Sequence, residues 1–307
     1  MTRKTDPGIA GVLVVDKGKG PSSHDIVASL RRILQMRRIG HCGTLDPLAS
    51  GVLVVCLGRY TRLNRWLSET DKVYEATISL GATSITGDSQ GPILQESGYS
   101  IPDASEVIDK LQGFSGEIDQ VPHAYSAVKV AGVRSYKRAR RGEEVVLKAR
   151  RIQIYNIELV TYDFPQLLLR VHCSSGTYIR SLAADLGKSL GTGAYLADLR
   201  RLQVGGLGID MALTLDDIAA KQERGIIEES FAHPRQALSD LAAIELDDVN
   251  LGNFTQGKLI QGLPVSVVNE NEVCAVFDSV ETLYGIGRWQ EGALQPFCVL
   301  RQWQSIA

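Results

Sequence analysis

A single carboxylate, Asp46, stands in a loop built from Gly40, Gly43, Pro47 and Gly51. Arg37 and Arg38 come just before the loop, and an apolar run at residues 52–57 follows it. Glycines let backbone approach a ligand closely, and the apolar run can anchor the loop on a rigid strand. One acid beside basic residues suits chemistry on a polyanion. Taken alone, Asp46-Pro47 also reads as a plain turn, because both residue types are common there.

The elements that must position this loop follow from local pattern. Residues 11–15 read as a short buried strand, and 52–57 as a second. Between them Ser22 or Ser23 caps a helix, with Asp25 completing the S-x-x-D pattern. Ile26, Val27, Leu30, Ile33 and Leu34 supply its apolar face. Residues 73–80 alternate, with Tyr74, Ala76, Ile78 and Leu80 pointing one way. Residues 81–101, rich in Gly, Ser and Thr, read as a long loop, and 102–111 as a helix. Strand signals return at 152–160 and 167–173. Ser174-Ser175-Gly176 then turns the chain into a helix with Ile179, Leu182, Ala183, Leu186 and Leu190 on one face, ended by Gly191 and Gly193. Arg180 falls in the first turn of that helix, where the macrodipole disfavours a cation, so it wants an anionic partner. Thr214 and Asp217 cap a further short helix. Beyond residue 246, short apolar runs separated by Gly, Asn and Glu suggest a small β-rich domain.

Composition bounds the partners. At 307 residues and 44% apolar content the chain suits one large domain plus a small one. It has no run of about 18 apolar residues, which argues against a membrane span. The N-terminus lacks an apolar signal core, which points to the cytoplasm. Five scattered cysteines (Cys42, Cys56, Cys173, Cys274 and Cys298), with no C-x-x-C, argue for reduced thiols and against structural zinc. His41 has no metal-ligand spacing to them. The net charge of −2 hides an asymmetry. Residues 129–151 hold nine Lys/Arg against Glu143 and Glu144, whereas 231–307 hold four Lys/Arg against nine Asp/Glu. Charge runs are usually solvated faces, but Tyr125, Tyr136 and the glycines in or beside this stretch make it read as a polyanion footprint. Arg138, Arg140 and Arg141 lie at its centre.

Gly40, His41, Gly43, Leu45, Asp46, Pro47, Ala49 and Gly51 fill every fixed position of the motif G-H-x-G-x-L-D-P-x-A-x-G. In this the chain resembles the TruB family of tRNA pseudouridine synthases. The likeness runs from about residue 11 to the C-terminus and is strongest before residue 205. It implies isomerisation of uridine to pseudouridine at position 55 of the tRNA T-loop, with the target base flipped out of its stack. Asp46 would be the catalytic carboxylate, as a nucleophile or as a base on the ribose. Tyr74, in D-K-x-Y, would stack on the base, although on pattern alone it reads as a core tyrosine on a strand's apolar face. Arg180, in G-T-Y-I-R, would pair with Asp46, while Tyr178 and Leu199 line the pocket. His41 would enter the T-loop and fill the space of the flipped nucleotide. No cofactor, metal or protein partner is implied.

The implied fold is α+β. A mixed, largely antiparallel sheet with helices spans residues 11–231 after a tail at 1–10, with a basic thumb insertion at about 120–150. A linker at 232–245 would lead to a PUA-like β domain at 246–307. Three departures from the family pattern stand out. Gly18 replaces a proline, Ser175 replaces a lysine, and the C-terminal segment is acidic, which argues against tight phosphate binding there. Two other readings fit the same motifs: a tRNA-folding factor that does not depend on catalysis, and a guide-dependent synthase of the dyskerin type. The absence of a basic tail disfavours the second.

Overall fold

The computed structural model describes residues 8–125, 129–130, 132–135, 138, 141–143, 145–263 and 268–301. Strands of the first half are β1 (Gly11–Lys17), β2 (Ile39–Cys42), β3 (Ser50–Leu57), β4 (Lys72–Leu80), β5 (Ala82–Ser84), β6 (Ile93–Gln95), β7 (Gly116–Gln120), β8 (Lys129–Val130) and β9 (Val133–Arg134). Those of the second half are β10 (Arg150–Asp163), β11 (Gln166–Cys173), β12 (Ala194–Val204), β13 (Leu207–Gly208), β14 (Phe231–Ala232), β15 (Ala242–Glu245), β16 (Val273–Phe277), β17 (Leu283–Gln290) and β18 (Ala293–Val299). The helices are α1 (Ser23–Ile33), α2 (Asn64–Glu69), α3 (Ala104–Gln112), α4 (Ile179–Leu190), α5 (Leu215–Glu223), α6 (Pro234–Ala237) and α7 (Asp248–Thr255).

The large sheet runs β14-β1-β3-β12-β4-β11-β10-β7, with β2 on β3 and β13 on β12. Among these pairings β12 on β3 is parallel and the rest are antiparallel. A second sheet, β15-β16-β17-β18, forms the C-terminal unit. The continuous apolar runs of β1 and β3 follow from burial on both faces. Leu13, Val15, Leu53 and Val55 pack with Ile26, Val27 and Leu30 of α1. Val12, Val14, Val52 and Val54 pack on the other face, in one cluster with Ala275, Phe277, Leu283 and Ile286 of the small sheet.

Local signals set the element ends. Ser22 accepts from the Asp25 amide and Asp25 answers the Ser22 amide, a complete capping box at α1. Asp103 with Glu106 does the same at α3, and Thr214 with Asp217 at α5. Gly191, in the left-handed conformation, closes α4. On β4 the alternation is realised: Tyr74, Ala76, Ile78 and Leu80 are all buried.

Two expectations change. The segment expected as a linker at 232–245 is structured. Ala232 pairs with β1, α6 follows, and β15 pairs in parallel with β16, so the C-terminal sheet begins at Ala242. Adding a strand to that sheet pairs its backbone groups and buries Ile244, which a free linker would leave in water. The loop at 81–101 contains the β5–β6 hairpin. The insertion after β7 leaves and re-enters at adjacent points, because Gln120 pairs with Arg150. Its described part includes the small β8–β9 ladder. No helix among the described residues is long and apolar enough to cross a membrane.

Candidate active site

The Asp46 loop joins β2 to β3 and is pinned from several directions. The Asp46 carbonyl accepts from the Ala49 amide, so the Asp-Pro turn is real. At the start of α1, Ser23 Oγ donates to the Leu45 carbonyl at 3.0 Å and accepts from the Leu45 amide at 2.8 Å. The Gly20 amide donates to the Pro47 carbonyl. Lys17, fully buried, donates from Nζ to the Ala49 carbonyl at 2.6 Å. Gly51 has φ +96°, and a Cβ there would lie 2.2 Å from the Arg201 carbonyl, so glycine is required on both counts.

Arg180 meets this loop from the first turn of α4. Its Nη2 lies 2.9 Å from Asp46 Oδ2, with the arginine side chain 8% exposed and the aspartate 43%. The same guanidinium donates to the Tyr125 carbonyl at 2.9 Å and the Thr86 carbonyl at 3.1 Å, and reaches Asp88 Oδ2 at 3.4 Å. Asp88 is 6% exposed and also accepts from Thr86 Oγ1 at 2.6 Å. The cation thus spans an open acid and a buried one. Gln120 grips the backbone of Tyr178 through its amide and carbonyl, at 2.8 and 3.1 Å, and so fixes the turn into α4.

A cleft of about 280 Å³ forms around Asp46. Its walls include Tyr74, Tyr178, Leu199, Lys72, Arg180 and Arg201. Asp46 is the one carboxylate among its lining residues. Burial pushes the Tyr74 phenol up, and the nearby Arg201 guanidinium opposes this. Lys17 is pulled down to about 8 by burial, with the Asp46 carboxylate acting the other way. Lys72 also falls to about 8, through burial and then the Arg201 charge. An open acid ringed by cations, with aromatic walls, can hold a nucleotide and act on it as nucleophile or base. A roomier hollow of about 420 Å³ lies between α2 and the small sheet, against Trp66 and Phe297, and holds none of the motif residues.

The TruB family pseudouridylate synthase N-terminal domain matches residues 31–179, and the tRNA pseudouridylate synthase B C-terminal domain matches 180–244. The tRNA pseudouridine synthase B of Cupriavidus taiwanensis is 41% identical over 296 residues, 94% of this chain and 93% of that protein. The chain belongs to the TruB family. The protein of the same name from Thermobifida fusca is 48% identical over 219 residues, covering 69% of this chain and 75% of its own length. Among solved structures, a chain in the crystal structure of a Cbf5–Nop10–Gar1 complex aligns with a TM-score of 0.77 at 26% identity, covering 95% of this chain and 86% of its own.

Within this TruB-family fold the structure gathers Asp46, Tyr74, Tyr178, Arg180 and Leu199 around one cleft. His41 sits just outside, on β2, half-buried, its Nδ1 without a hydrogen-bond partner. Burial lowers its pKa, as do the charges of Arg201 and His24. Arg138 and Arg141 lie in the insertion, both near Glu143, at 2.6 and 3.8 Å. Arg140 lies outside the described residues. Lys17, Asp88 and Arg201 escaped the sequence reading as site residues. Asp88 lay in a stretch read as polar loop, and the charges of Lys17 and Arg201 carry no local sign of burial.

Proposed function

We propose that this chain converts the uridine at position 55 in the tRNA T-loop to pseudouridine, without a protein partner. The observation that carries the reading is the Arg180–Asp46 contact at 2.9 Å at the mouth of a cleft walled by Tyr74. The target nucleotide leaves its stack and enters that cleft. The N1–C1′ bond breaks, the base turns, C1′ bonds to C5, the C5 proton leaves to water, and N1 takes up a proton in its place. Asp46 serves as nucleophile at the sugar or as base on a ribose proton; Arg180 holds it and Tyr74 stacks on the uracil. The names of the curated relatives support tRNA as substrate. The basic insertion, rooted at Gln120 and Arg150 beside the cleft, suits the phosphates of a T-arm, and His41 at the loop's entry suits a stacking contact with it. The acidic C-terminal sheet fits a PUA-like unit with few phosphate contacts.

The test uses the purified chain alone and an unmodified tRNA transcript tritiated at C5 of its uridines. Release of about one tritium per tRNA, abolished by changing the T-loop uridine, is the expected result, because joining C1′ to C5 expels that hydrogen. Asp46→Asn is expected to bind tRNA normally and release none. Binding by wild type without release supports the RNA-folding reading. Release only with a guide RNA and partner proteins supports the guide-dependent one.

A further inference from the structure

Arg201 is 1% exposed, and its guanidinium donates to two backbone carbonyls and bonds the Tyr74 phenol. Its Nε donates to the Val52 carbonyl at 2.7 Å and its Nη2 to the Gly43 carbonyl at 3.2 Å. Gly43 opens the Asp46 loop and Val52 follows its exit, so one rigid planar group holds both ends. The backbone of Arg201 is paired as tightly. On one side it faces Gly51 of β3, in the short parallel stretch, and on the other Tyr74 of β4. No side chain fits between Gly51 and Arg201. The guanidinium also acts on the Tyr74 phenol and lines the cleft. Burying a cation on neutral carbonyls is costly where an apolar side chain would fill the same space. Lys17 and Lys72 are buried nearby as well, so the fold concentrates positive charge here instead of avoiding it.

We infer that Arg201 is a positioning residue, which fixes the Asp46 loop and the Tyr74 wall relative to each other. It acts through these groups and takes no part in bond making. The inference rests on the reading of Asp46 as the catalytic carboxylate. Loss of the clamp frees the loop ends, and misplacement by about 1 Å lowers a reaction rate by about a hundredfold.

The experiment measures three quantities on the full chain: single-turnover tritium release at saturating enzyme, tRNA affinity by filter binding, and amide hydrogen exchange of the peptide spanning 43–52. Arg201→Met is expected to slow release about a hundredfold, keep affinity within about threefold, and speed exchange in that peptide alone. Arg201→Lys keeps the charge but not the two-way fork, and is expected to recover about tenfold of the loss. The inference is overturned by release within about threefold of wild type, by a loss that lies wholly in affinity, or by exchange that rises evenly across the chain. Should Arg201→Met fail to fold, Arg201→Lys decides by the same criteria. Asp46→Asn runs alongside. If it turns over like wild type, the reading of the active site fails; if it is inert while Arg201→Met is normal, only the clamp fails.

Discussion

Replacing Arg180 by methionine tests the centre of the site, because stability and turnover should part. The guanidinium bridges Asp46 at 2.9 Å and Asp88 at 3.4 Å. The Asp46 side chain is 43% exposed, so unpairing it should cost stability at most about 1 kcal/mol. The Asp88 side chain is 6% exposed, and its Oδ2 loses its cation. Breaking a buried pair by removing one partner costs about 3–5 kcal/mol. The lower end applies, because Asp88 Oδ1 keeps the Thr86 hydroxyl at 2.6 Å and the Gln90 amide at 3.1 Å. The expected loss is therefore about 3 kcal/mol. Adding Asp88→Asn removes the stranded charge and should return about 2 kcal/mol of it. Turnover should behave differently. Without its holder Asp46 is misplaced, and release should fall by about a hundredfold or more, whether or not Asp88 is neutralised. Urea unfolding gives the first quantity, and single-turnover tritium release the second. A single variant within about 1 kcal/mol of wild type would show that Asp88 does not depend on Arg180. A double variant that regained turnover would show that the stranded Asp88 charge, and not the loss of the Asp46 partner, was the lesion.

Two further outcomes follow from the same geometry. His123 is lowered to about 4, from 6.5, by burial and then by Arg180, so folding excludes a proton that the unfolded chain binds. Its contribution is complete above pH 6.5 and lost as pH falls through about 4. Wild type should therefore lose up to about 3 kcal/mol relative to His123→Gln across that window, and equal slopes of stability against pH for the two proteins would refute this. Neutralising Arg138, Arg140 and Arg141 together should weaken tRNA binding and flatten its logarithmic salt dependence by about 0.7 per lost contact. An unchanged slope would return the insertion to a solvated surface.

Part of this protein was legible in sequence because the forces involved are local. The capping boxes at Ser22–Asp25 and Thr214–Asp217 close over three residues. The alternation on β4 reports one buried face through the period of the strand itself. The motif around Asp46 marked the loop, since its glycines and proline speak for backbone geometry whatever lies across from them. Arg180 in a first helical turn announced that it needed an anion. What it could not announce was a second anion. Asp88 comes from a segment with no periodicity, and it reaches Arg180 because β5 and β6 fold that segment back over α4. The span from Lys17 to Arg201 is likewise a matter of tertiary order. β12 slots between β3 and β4, and in doing so sets Arg201 against Gly51 on one side and Tyr74 on the other. The end of the linker expected at 232–245, Ala242–Glu245, became strand for the same reason, since the small sheet was there to pair it. Residue types specify which groups can bear charge, bend or stack. Which charges are buried together depends on pairings between distant strands, and only the folded chain decides those.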